Sequence, residues 1–316
     1  MRPGIVIVTF NSESVIGSCL RAAVRQDADI VVVDNASNDG TVEEVRRWPE
    51  VELIANGANA GFAAAVNQGV RRLRNEVVLL LNPDAVVETG LTEMAAQLRE
   101  PEVAAVGGRL LDGSGEPQTG FAVRRFPTVA ALAFEAAGLN RVWPGNPVNR
   151  SYRCLDMDLN SPADVDQPAG AFLMIRRDVW RDLNGLDEGF HPLWFEDVDY
   201  LKRVCDLGFK VRYLPAAAAV HAGGHSIRGL SDECRELYWY GSLLRYASKH
   251  FGFVSRRVIC VAVLFGSLLR MPASVMRKRR IRLFGAYGGV IRLAAESLVT
   301  GRVQSAGRYA AAGTTS

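Results

Sequence analysis

The feature that most constrains this chain is a change of hydrophobic period that repeats through its first hundred residues. Short runs rich in Val, Ile and Leu occur at 5–8, 30–33, 51–54 and 77–81. Between these runs lie segments whose apolar residues recur every three or four positions, the spacing of one helix face. This alternation predicts βαβ units and a mainly parallel α/β sheet with helices on both faces.

The remainder of the chain changes pattern twice. It contains a further apolar strand at 171–175, a carboxylate-rich helix start near 196 and a short strand at 211–214. From about residue 232 onward the pattern is helical. We therefore expect one α/β domain over 1–230, built from halves that meet near residue 100, followed by a helical C-terminal extension over 231–316.

The net charge of +3 hides a strong asymmetry between the body and the tail. Residues 251–316 carry 11 Lys and Arg against a single acid, Glu296, so the first 250 residues are acidic overall. The basic cluster Arg277-Lys278-Arg279-Arg280 follows the apolar run 258–269, which is too short to span a bilayer. We expect the tail to bind an anionic membrane surface as a helix lying in the interface; the alternative is a packing element or a homodimer through the C-terminal helices.

Two further features bear on partners and location. The basic run is short and the body is acidic, so we expect no nucleic-acid partner. The five cysteines are widely spaced and contain no C-x-x-C pair, which indicates reduced thiols in a cytoplasmic protein. No basic segment with a long apolar run precedes the first strand, and we expect no signal peptide.

Polar residues and turn formers follow each of the first four predicted strands. In an open parallel sheet these positions share the ligand-binding edge. One strand exit or helix cap could explain any single cluster, but four on one edge favour a binding site. The residues at these ends are Thr9 and Asn11, then Asp34, then Asn59, Gly61 and Phe62, and finally Asn82 and Asp84.

Two of these carboxylates have a specific chemical interpretation. Asp34 ends a run of three valines, where it could accept hydrogen bonds from a nucleotide base or ribose. Asp84 follows three leucines that predict a buried strand, and a carboxylate there can hold Mg²⁺ or Mn²⁺ against a diphosphate. A single Asp is a weak metal site by itself, so the phosphates of a substrate have to complete it.

The densest acidic cluster lies around Glu196 and Asp197, directly after Trp194 and Phe195. Acids are common in the first turn of a helix because the dipole favours them there. That explanation does not account for the adjoining aromatic residues, which suit a sugar site beside a general base. The cluster therefore predicts a carboxylate general base in a sugar site, and the pattern by itself does not choose between Glu196 and Asp197.

These motifs in this order resemble the inverting GT-A glycosyltransferases of family 2, especially rhamnosyltransferase-like bacterial members. The resemblance covers about 4–228, and it rests on eight segments. They are Val8-Thr9-Phe10-Asn11-Ser12, Val33-Asp34-Asn35-Ala36-Ser37-Asn38-Asp39-Gly40, Asn59-Ala60-Gly61-Phe62-Ala63, Leu80-Leu81-Asn82-Pro83-Asp84, Gly170-Ala171-Phe172-Leu173-Met174-Ile175-Arg176-Arg177, Gly185-Leu186-Asp187-Glu188-Gly189-Phe190, Phe195-Glu196-Asp197-Val198-Asp199 and Val220-His221.

The resemblance implies a role for each half of the domain. Residues 1–100 become the nucleotide-binding half, in which Asp34 and the Thr9–Asn11 turn cradle the base, and 101–230 become the acceptor-binding half. Asp84 corresponds to the last acid of the family's D-x-D element, which here reads Asn-Pro-Asp and leaves one acid fewer for Mg²⁺ or Mn²⁺. The resemblance supplies His221 as a second metal ligand and Asp197 as the catalytic base. It also places Trp194 and Glu196 on the acceptor side. The expected nucleotide-sugar contacts are Thr9, Asn11, Asp34, Asn59, Gly61, Phe62, Asn67 and Asn82.

A departure from the family pattern occurs on the acceptor side. The chain reads His191-Pro192-Leu193-Trp194 where relatives often have Phe-Phe-Met-Tyr, so the acceptor is left open. The chain also lacks G-x-G-x-x-G, G-x-x-x-x-G-K-[ST] and G-x-S-x-G, which disfavours dinucleotide oxidoreductases, P-loop NTPases and α/β-hydrolases.

The predicted activity is inverting transfer of a sugar, rhamnose favoured, from a dTDP- or UDP-sugar to a glycan or polyprenyl-linked acceptor in cell-surface polysaccharide synthesis. The predicted place is the cytoplasmic face of the cell membrane. Transfer of another hexose from a UDP-sugar is the alternative within the class. From other classes, a nucleotidyltransferase is disfavoured by the absence of a Gly-rich signature near the first strand, and a non-catalytic sugar-binding or membrane scaffold need not keep Asp84, Asp197 and His221 together.

Overall fold

The computed structural model describes residues 1–224, 229–278, 282–301 and 303, which form two compact units. The first unit comprises 1–126, 153–188 and 196–229. Its elements in chain order are β1 (Gly4–Thr9), α1 (Glu13–Ala23), β2 (Asp29–Asp34), α2 (Thr41–Val45), β3 (Val51–Ala55), α3 (Phe62–Arg72), β4 (Val77–Leu81), β5 (Ala85–Thr89), α4 (Leu91–Gln97), β6 (Val103–Leu111), β7 (Val123–Arg124), β8 (Ala163–Asp164), β9 (Gln167–Pro168), β10 (Phe172–Arg176), α8 (Arg177–Asp182), α9 (Glu196–Asp206) and β11 (Lys210–His221).

The first unit is built on a mixed sheet with the order β3-β2-β1-β4-β10-β6-β11-β5, to which β8 adds beside β11. Strands β3, β2, β1, β4, β6 and β11 run in one direction, whereas β10, β5 and β8 run against them. The predicted α/β class and its mainly parallel sheet are therefore confirmed. The antiparallel β10, which joins the two parallel groups, was not predicted.

Alternate residues of each central strand contribute to two separate hydrophobic cores, because successive side chains of a strand point to opposite faces of the sheet. Ile5 and Ile7 of β1 pack on one face with residues of α1 and α4. Val6 and Val8 pack on the other face with residues of α3 and α9. Burial on both faces explains the continuous apolar runs of β1, β2 and β4.

The second unit comprises 127–152, 189–195 and the residues from 230 onward. Its elements are helices, namely α5 (Val129–Ala137), α6 (Leu139–Val142), α7 (Pro147–Tyr152), α10 (Asp232–His250), α11 (Phe253–Lys278) and α12 (Arg282–Thr300). The helical C-terminal region is thus confirmed. The predicted domain boundaries near residues 100 and 230 stay a prediction, and the compact helical unit also takes in two earlier segments.

The membrane prediction falls partly on residues that the structure does not describe. Arg279 and Arg280 of the basic cluster lie outside the described residues. Within the described part of the chain, no helix is both long enough and apolar enough to cross a bilayer.

Candidate active site

The turns after β1 and β2 interlock around the Asp34 carboxylate, which is almost wholly buried. Its Oδ1 accepts hydrogen bonds from the Thr9 hydroxyl at 2.8 Å and the Ser37 hydroxyl at 2.5 Å, and its Oδ2 accepts the Ser37 N–H at 2.9 Å. Asn11, in the left-handed region with φ of 51°, accepts the Asn38 N–H at 2.8 Å. The fold thus brings Thr9, Asn11 and Asp34 together, while their contact with a nucleotide stays a prediction.

The turn before α3 adds the next predicted cluster to this edge. Gly61 caps the helix with a φ of 86°, a conformation that a residue with a Cβ adopts only under strain. The Asn59 side-chain oxygen accepts the Gly61 N–H at 2.9 Å, and the Gly61 carbonyl accepts Asn35 Nδ2 at 3.2 Å. Since Asn35 directly follows Asp34, the second and third turns are tied together. Phe62, the first residue of α3, packs against the core beneath.

Asn67 of α3 has a role that sequence reasoning missed. Its amide is buried and pairs with both backbone groups of Leu186, donating to the Leu186 carbonyl at 2.9 Å and accepting the Leu186 N–H at 3.0 Å. Nδ2 also donates to Glu188 Oε1 at 2.9 Å. Asn67 therefore holds the 185–188 loop against the nucleotide-binding half. The sequence signal for this role was a polar residue among the apolar positions of one helix face. Contact between Asn67 and the donor stays a prediction.

Pairing between β5 and β11 brings Asp84 and His221 together from positions far apart in the chain. His221 pairs with Ala85, and the Ala222 N–H donates to the Asp84 carbonyl at 3.1 Å. Both side chains are buried, with His221 Nε2 3.4 Å from Asp84 Oδ1. Asn82 Nδ2 lies 3.4 Å from the same imidazole nitrogen. The three residues therefore converge where β4 and β11 end.

Gln118, in the loop between β6 and β7, fixes the orientation of the His221 ring. Its Nε2 donates to the His221 carbonyl at 2.7 Å, which leaves Oε1 facing His221 Nδ1 at 3.1 Å. An amide oxygen only accepts, so Nδ1 carries a proton, and with that tautomer a neutral ring would present the Nε2 lone pair toward Asp84. The Phe121 ring stacks on the imidazole, with centroids 5.4 Å apart. Sequence reasoning missed Gln118 because it lies in an irregular loop.

This donor set fits a hard divalent cation. A carboxylate oxygen and an unprotonated imidazole nitrogen, each about 2.1 Å from one ion, stand roughly 3 Å apart when adjacent, close to the observed 3.4 Å. A histidine that ligates a metal normally donates its other N–H to an oxygen, as His221 does to Gln118. Among the described residues, no group of three or more His, Cys, Asp or Glu is placed to hold a metal, so a cation at Asp84 and His221 would need further ligands from a substrate.

Asp197 lies in the first turn of α9 and contacts the loop before β10. Its Oδ2 accepts the Gly170 N–H at 3.1 Å, and its Oδ1 accepts the Val198 N–H at 2.8 Å. The next carbonyl, that of Ala171, accepts the Asn82 N–H at 3.0 Å. This chain of contacts places Asp197 near the end of β4, where Asp84 follows. Burial raises the pKa of Asp197, and the hydrogen bonds from Gly170 and Val198 oppose that rise.

Glu196, one residue earlier, is buried in a different way. Burial and the neighbouring Asp197 charge raise the pKa of Glu196 well above the usual carboxyl range. In the described part of the chain its Oε2 has no hydrogen-bond partner. Glu196 therefore favours its protonated form, whereas Asp197 is stabilised as a carboxylate by two backbone donors. The predicted acceptor-side role of Glu196 stays a prediction.

Trp194 belongs to the second compact unit. Trp194 and Phe195 both adopt the left-handed region, with φ of 77° and 69°. Within that unit the Phe195 ring packs beside Tyr246 and Trp239, with centroids 5.4 and 6.3 Å away. Phe195 thus anchors the 189–195 segment to α10, and the acceptor-side role of Trp194 stays a prediction.

Comparison with known families finds one model that covers more than half of the chain. The model described as "Glycosyl transferase family 2" matches residues 4–180. The matched span contains the Asp34, Gly61 and Asp84 segments.

Two of the similar proteins are named as rhamnosyltransferases. An N-acetylglucosaminyl-diphospho-decaprenol L-rhamnosyltransferase of Mycobacterium tuberculosis is 27% identical over 281 residues, which is 84% of this chain and 90% of that protein. Rhamnosyltransferase WbbL of Escherichia coli is 24% identical over 256 residues, which is 78% of this chain and 92% of that protein. Both alignments therefore extend beyond the span of the family model.

Among solved structures, a mannosyltransferase from Pyrobaculum calidifontis in complex with GDP-Man and Mn²⁺ has a similar fold. It superposes with a TM-score of 0.53 at 19% identity, covering 99% of this chain and 79% of that one. At this identity the likeness establishes the fold only.

Proposed function

The chain belongs to glycosyl transferase family 2, and on that premise we propose that it transfers a rhamnosyl residue from a nucleoside diphosphate donor to a polyprenyl-linked glycan. Support for the sugar and the acceptor comes from the two rhamnosyltransferases that align with most of the chain. The name of the mycobacterial relative specifies N-acetylglucosaminyl-diphospho-decaprenol, and we propose an acceptor of this polyprenyl-linked class for the present chain.

The observation that carries the proposal is the convergence of two groups on one sheet edge. Asp84 and His221 lie 3.4 Å apart where β4 and β11 end, and Asp197 is linked to the same edge through Gly170 and Ala171. One group suits a diphosphate and the other suits a hydroxyl nucleophile. For a donor bound at this edge, Asp84 and His221 would therefore act on the diphosphate leaving group, and Asp197 would act on the attacking hydroxyl of the acceptor.

The proposed reaction is a single in-line displacement at the anomeric carbon. The acceptor hydroxyl oxygen forms a bond to that carbon as the bond to the diphosphate oxygen breaks, and the hydroxyl proton passes to the Asp197 carboxylate. The sugar leaves with inverted anomeric configuration, and no covalent enzyme intermediate forms. Asp84 and His221 would hold Mg²⁺ or Mn²⁺, which neutralises charge on the departing diphosphate when bound.

The nucleotide half of the donor fits the interlocked turns. We propose that the base and ribose lie along the edge formed by Thr9, Asn11 and Asp34. The diphosphate then lies between Asn82 and the N-terminal end of α3 at Gly61, where backbone N–H groups and the helix dipole favour an anion. The tight network around Asp34 pre-shapes this edge before the donor binds.

We also propose a peripheral location on the cytoplasmic face of the cell membrane, because a polyprenyl-linked acceptor lies in a bilayer. Transfer of another hexose from a UDP-sugar is the second candidate. It keeps the same chemistry and differs only in the donor sugar that is transferred.

The test is a donor panel with a lipid-linked acceptor. Purified full-length protein is given dTDP-rhamnose, UDP-glucose, UDP-galactose or UDP-GlcNAc, with a short-chain polyprenyl diphospho-N-acetylglucosamine and Mn²⁺. We expect dTDP release and a rhamnosylated lipid product with inverted configuration by NMR, and both should be slowed about 10²- to 10⁴-fold in Asp197→Asn. A product from only one UDP-sugar would mean that this sugar, and not rhamnose, is the one transferred. If no donor releases its nucleoside diphosphate, the proposal is overturned.

A further inference from the structure

Helix α11 exposes a continuous apolar stripe that the proposed chemistry does not use. The exposed side chains recur at intervals of three and four residues, which places them on one face of the helix. Their exposed fractions lie between 48% and 72%, although apolar side chains of this size are usually buried. The stripe consists of Val254, Val258, Val261, Phe265, Leu268 and Leu269.

The opposite face of α11 is fixed within the helical unit, so the stripe is held outward. Ile259, Cys260 and Val263 are fully buried. Gly266 lies against α5, where a Cβ at its position would overlap the Ala136 carbonyl. Arg270 also donates to the Ala136 carbonyl, which directs the guanidinium inward. The outward face is therefore a fixed surface.

The stripe is long and uncharged. From Val254 to Leu269 it extends about 22 Å along the helix axis, and no charged residue lies within it. Of the cations with described side chains, Arg256 reaches the Gly301 carbonyl and Arg257 stacks on the Phe253 ring, 3.9 Å from its centroid. Arg257 thus borders the stripe at its N-terminal end. Apolar patches of this kind mark docking surfaces.

Charge decides which partner fits. Residues 252–295 contain nine Lys and Arg and no Asp or Glu. A second copy packed stripe to stripe would offer Arg257 no acid of α11 to pair with. An anionic lipid surface instead offers acyl chains to the stripe and headgroups to Arg257 at its border, and the excess of basic residues in this part of the sequence favours an anionic partner.

We propose that the α11 stripe is the face by which this protein docks onto an anionic lipid bilayer, with the helix lying in the interface. The inference deepens the proposed function, since a lipid-linked acceptor has to be reached at a membrane. It depends on the exposed residues and the charge pattern, and not on the donor or acceptor. Its test therefore contains neither substrate.

The experiment is vesicle flotation of the full-length protein. Vesicles contain phosphatidylcholine alone or with roughly a third of phosphatidylglycerol, at low and at high salt. We expect binding to the anionic vesicles at low salt, weakened by high salt. Phe265→Glu should weaken binding about tenfold to a hundredfold, because it removes a large apolar side chain and adds an anion. The matched control is Leu207→Glu, since Leu207 is equally exposed at 56% but lies in the sheet unit.

Each outcome is decisive for the proposal. Thermal unfolding of both variants and nucleotide binding by Phe265→Glu confirm that the chain remains folded. Absence of flotation of the wild type on anionic vesicles would overturn the proposal. Equal loss in the two variants would also overturn it, because the effect would not be specific to the stripe. So would a wild-type dimer that Phe265→Glu converts to a monomer without changing flotation, since a second copy would then be the occupant.

Discussion

Gln118 offers the sharpest test of whether Asp84 and His221 form a metal site. In Gln118→Leu the His221 Nδ1–H loses its acceptor at 3.1 Å, and the His221 carbonyl loses its donor at 2.7 Å. A ring that carries one proton is then free to place it on Nε2, and a protonated Nε2 cannot ligate a metal. Gln118→Glu keeps an acceptor for Nδ1–H and loses only the donor to the carbonyl.

The expected magnitude follows from the contacts that each variant removes. Loss of the outer partner of a ligating histidine typically weakens metal binding about 10- to 100-fold. That range corresponds to roughly 1.4 to 2.7 kcal/mol, about what one or two hydrogen bonds contribute. We therefore expect Gln118→Leu to raise the Mn²⁺ Kd by this factor. Gln118→Glu should stay close to the wild type or bind more tightly, because a carboxylate strengthens the ligand.

The assay is a titration of Mn²⁺ by calorimetry in the presence of dTDP, with His221→Ala as the baseline. Thermal unfolding of each variant checks that the loop between β6 and β7 remains folded. Wild-type affinity in Gln118→Leu would refute the tautomer argument. Equal weakening by Leu and Glu would refute it as well, because the loss would then come from the hydrogen bond to the His221 carbonyl.

Four further results are expected. Asp84→Ala should fold normally and lose turnover by orders of magnitude, and full wild-type activity in excess EDTA would contradict a metal role. Asp197→Asn should lower kcat by about 10²- to 10⁴-fold with donor binding nearly unchanged in a nucleotide titration. Glu196→Gln should gain stability over the wild type as pH rises from about 4.5, since a carboxyl whose pKa is raised on folding destabilises the fold progressively above its unfolded pKa; parallel Tm curves against pH would argue otherwise. Asn67→Ala should lower the free energy of unfolding by about 2–5 kcal/mol because it strips both partners from Leu186, whereas urea denaturation with no change would show that the 185–188 loop does not depend on it.

Local sequence pattern predicted much of the first unit because its central strands are buried on both faces. The apolar runs at 5–8, 30–33, 51–54 and 77–81 all fall within β1 to β4. The run at 171–175 also became a strand, but its antiparallel direction depends on long-range pairing that no local pattern encodes. The strand at 211–214 proved to be part of a longer β11, which continues through four alanine residues without a hydrophobic alternation.

The sequence allowed us to predict the site residues that directly follow a strand. It did not allow us to predict contacts between segments that lie far apart in the chain. Asp34 and Asp84 each follow an apolar run, so their position on the sheet edge could be read from the sequence. Gln118 contacts His221 across a separation of 103 residues, and Asn67 contacts Leu186 across 119. Neither contact leaves a mark in local periodicity, because each depends on the packing of loops that irregular sequence does not specify.

Glu196 and Asp197 are adjacent in the sequence, but the structure gives their carboxyl groups different environments. Burial raises the pKa of both carboxyls. Asp197 also receives the Gly170 and Val198 N–H groups, and the positive charge of Arg124 acts in the same direction. Glu196 instead meets the negative charge of Asp197 and keeps an oxygen without a partner in the described chain. These contacts favour the protonated form of Glu196 more than that of Asp197, which makes Asp197 the better placed of the two to take the acceptor's proton. Because its pKa is raised, the fall of kcat/KM toward acid should begin at a higher pH than for an ordinary aspartate, and this acid limb should persist in Glu196→Gln.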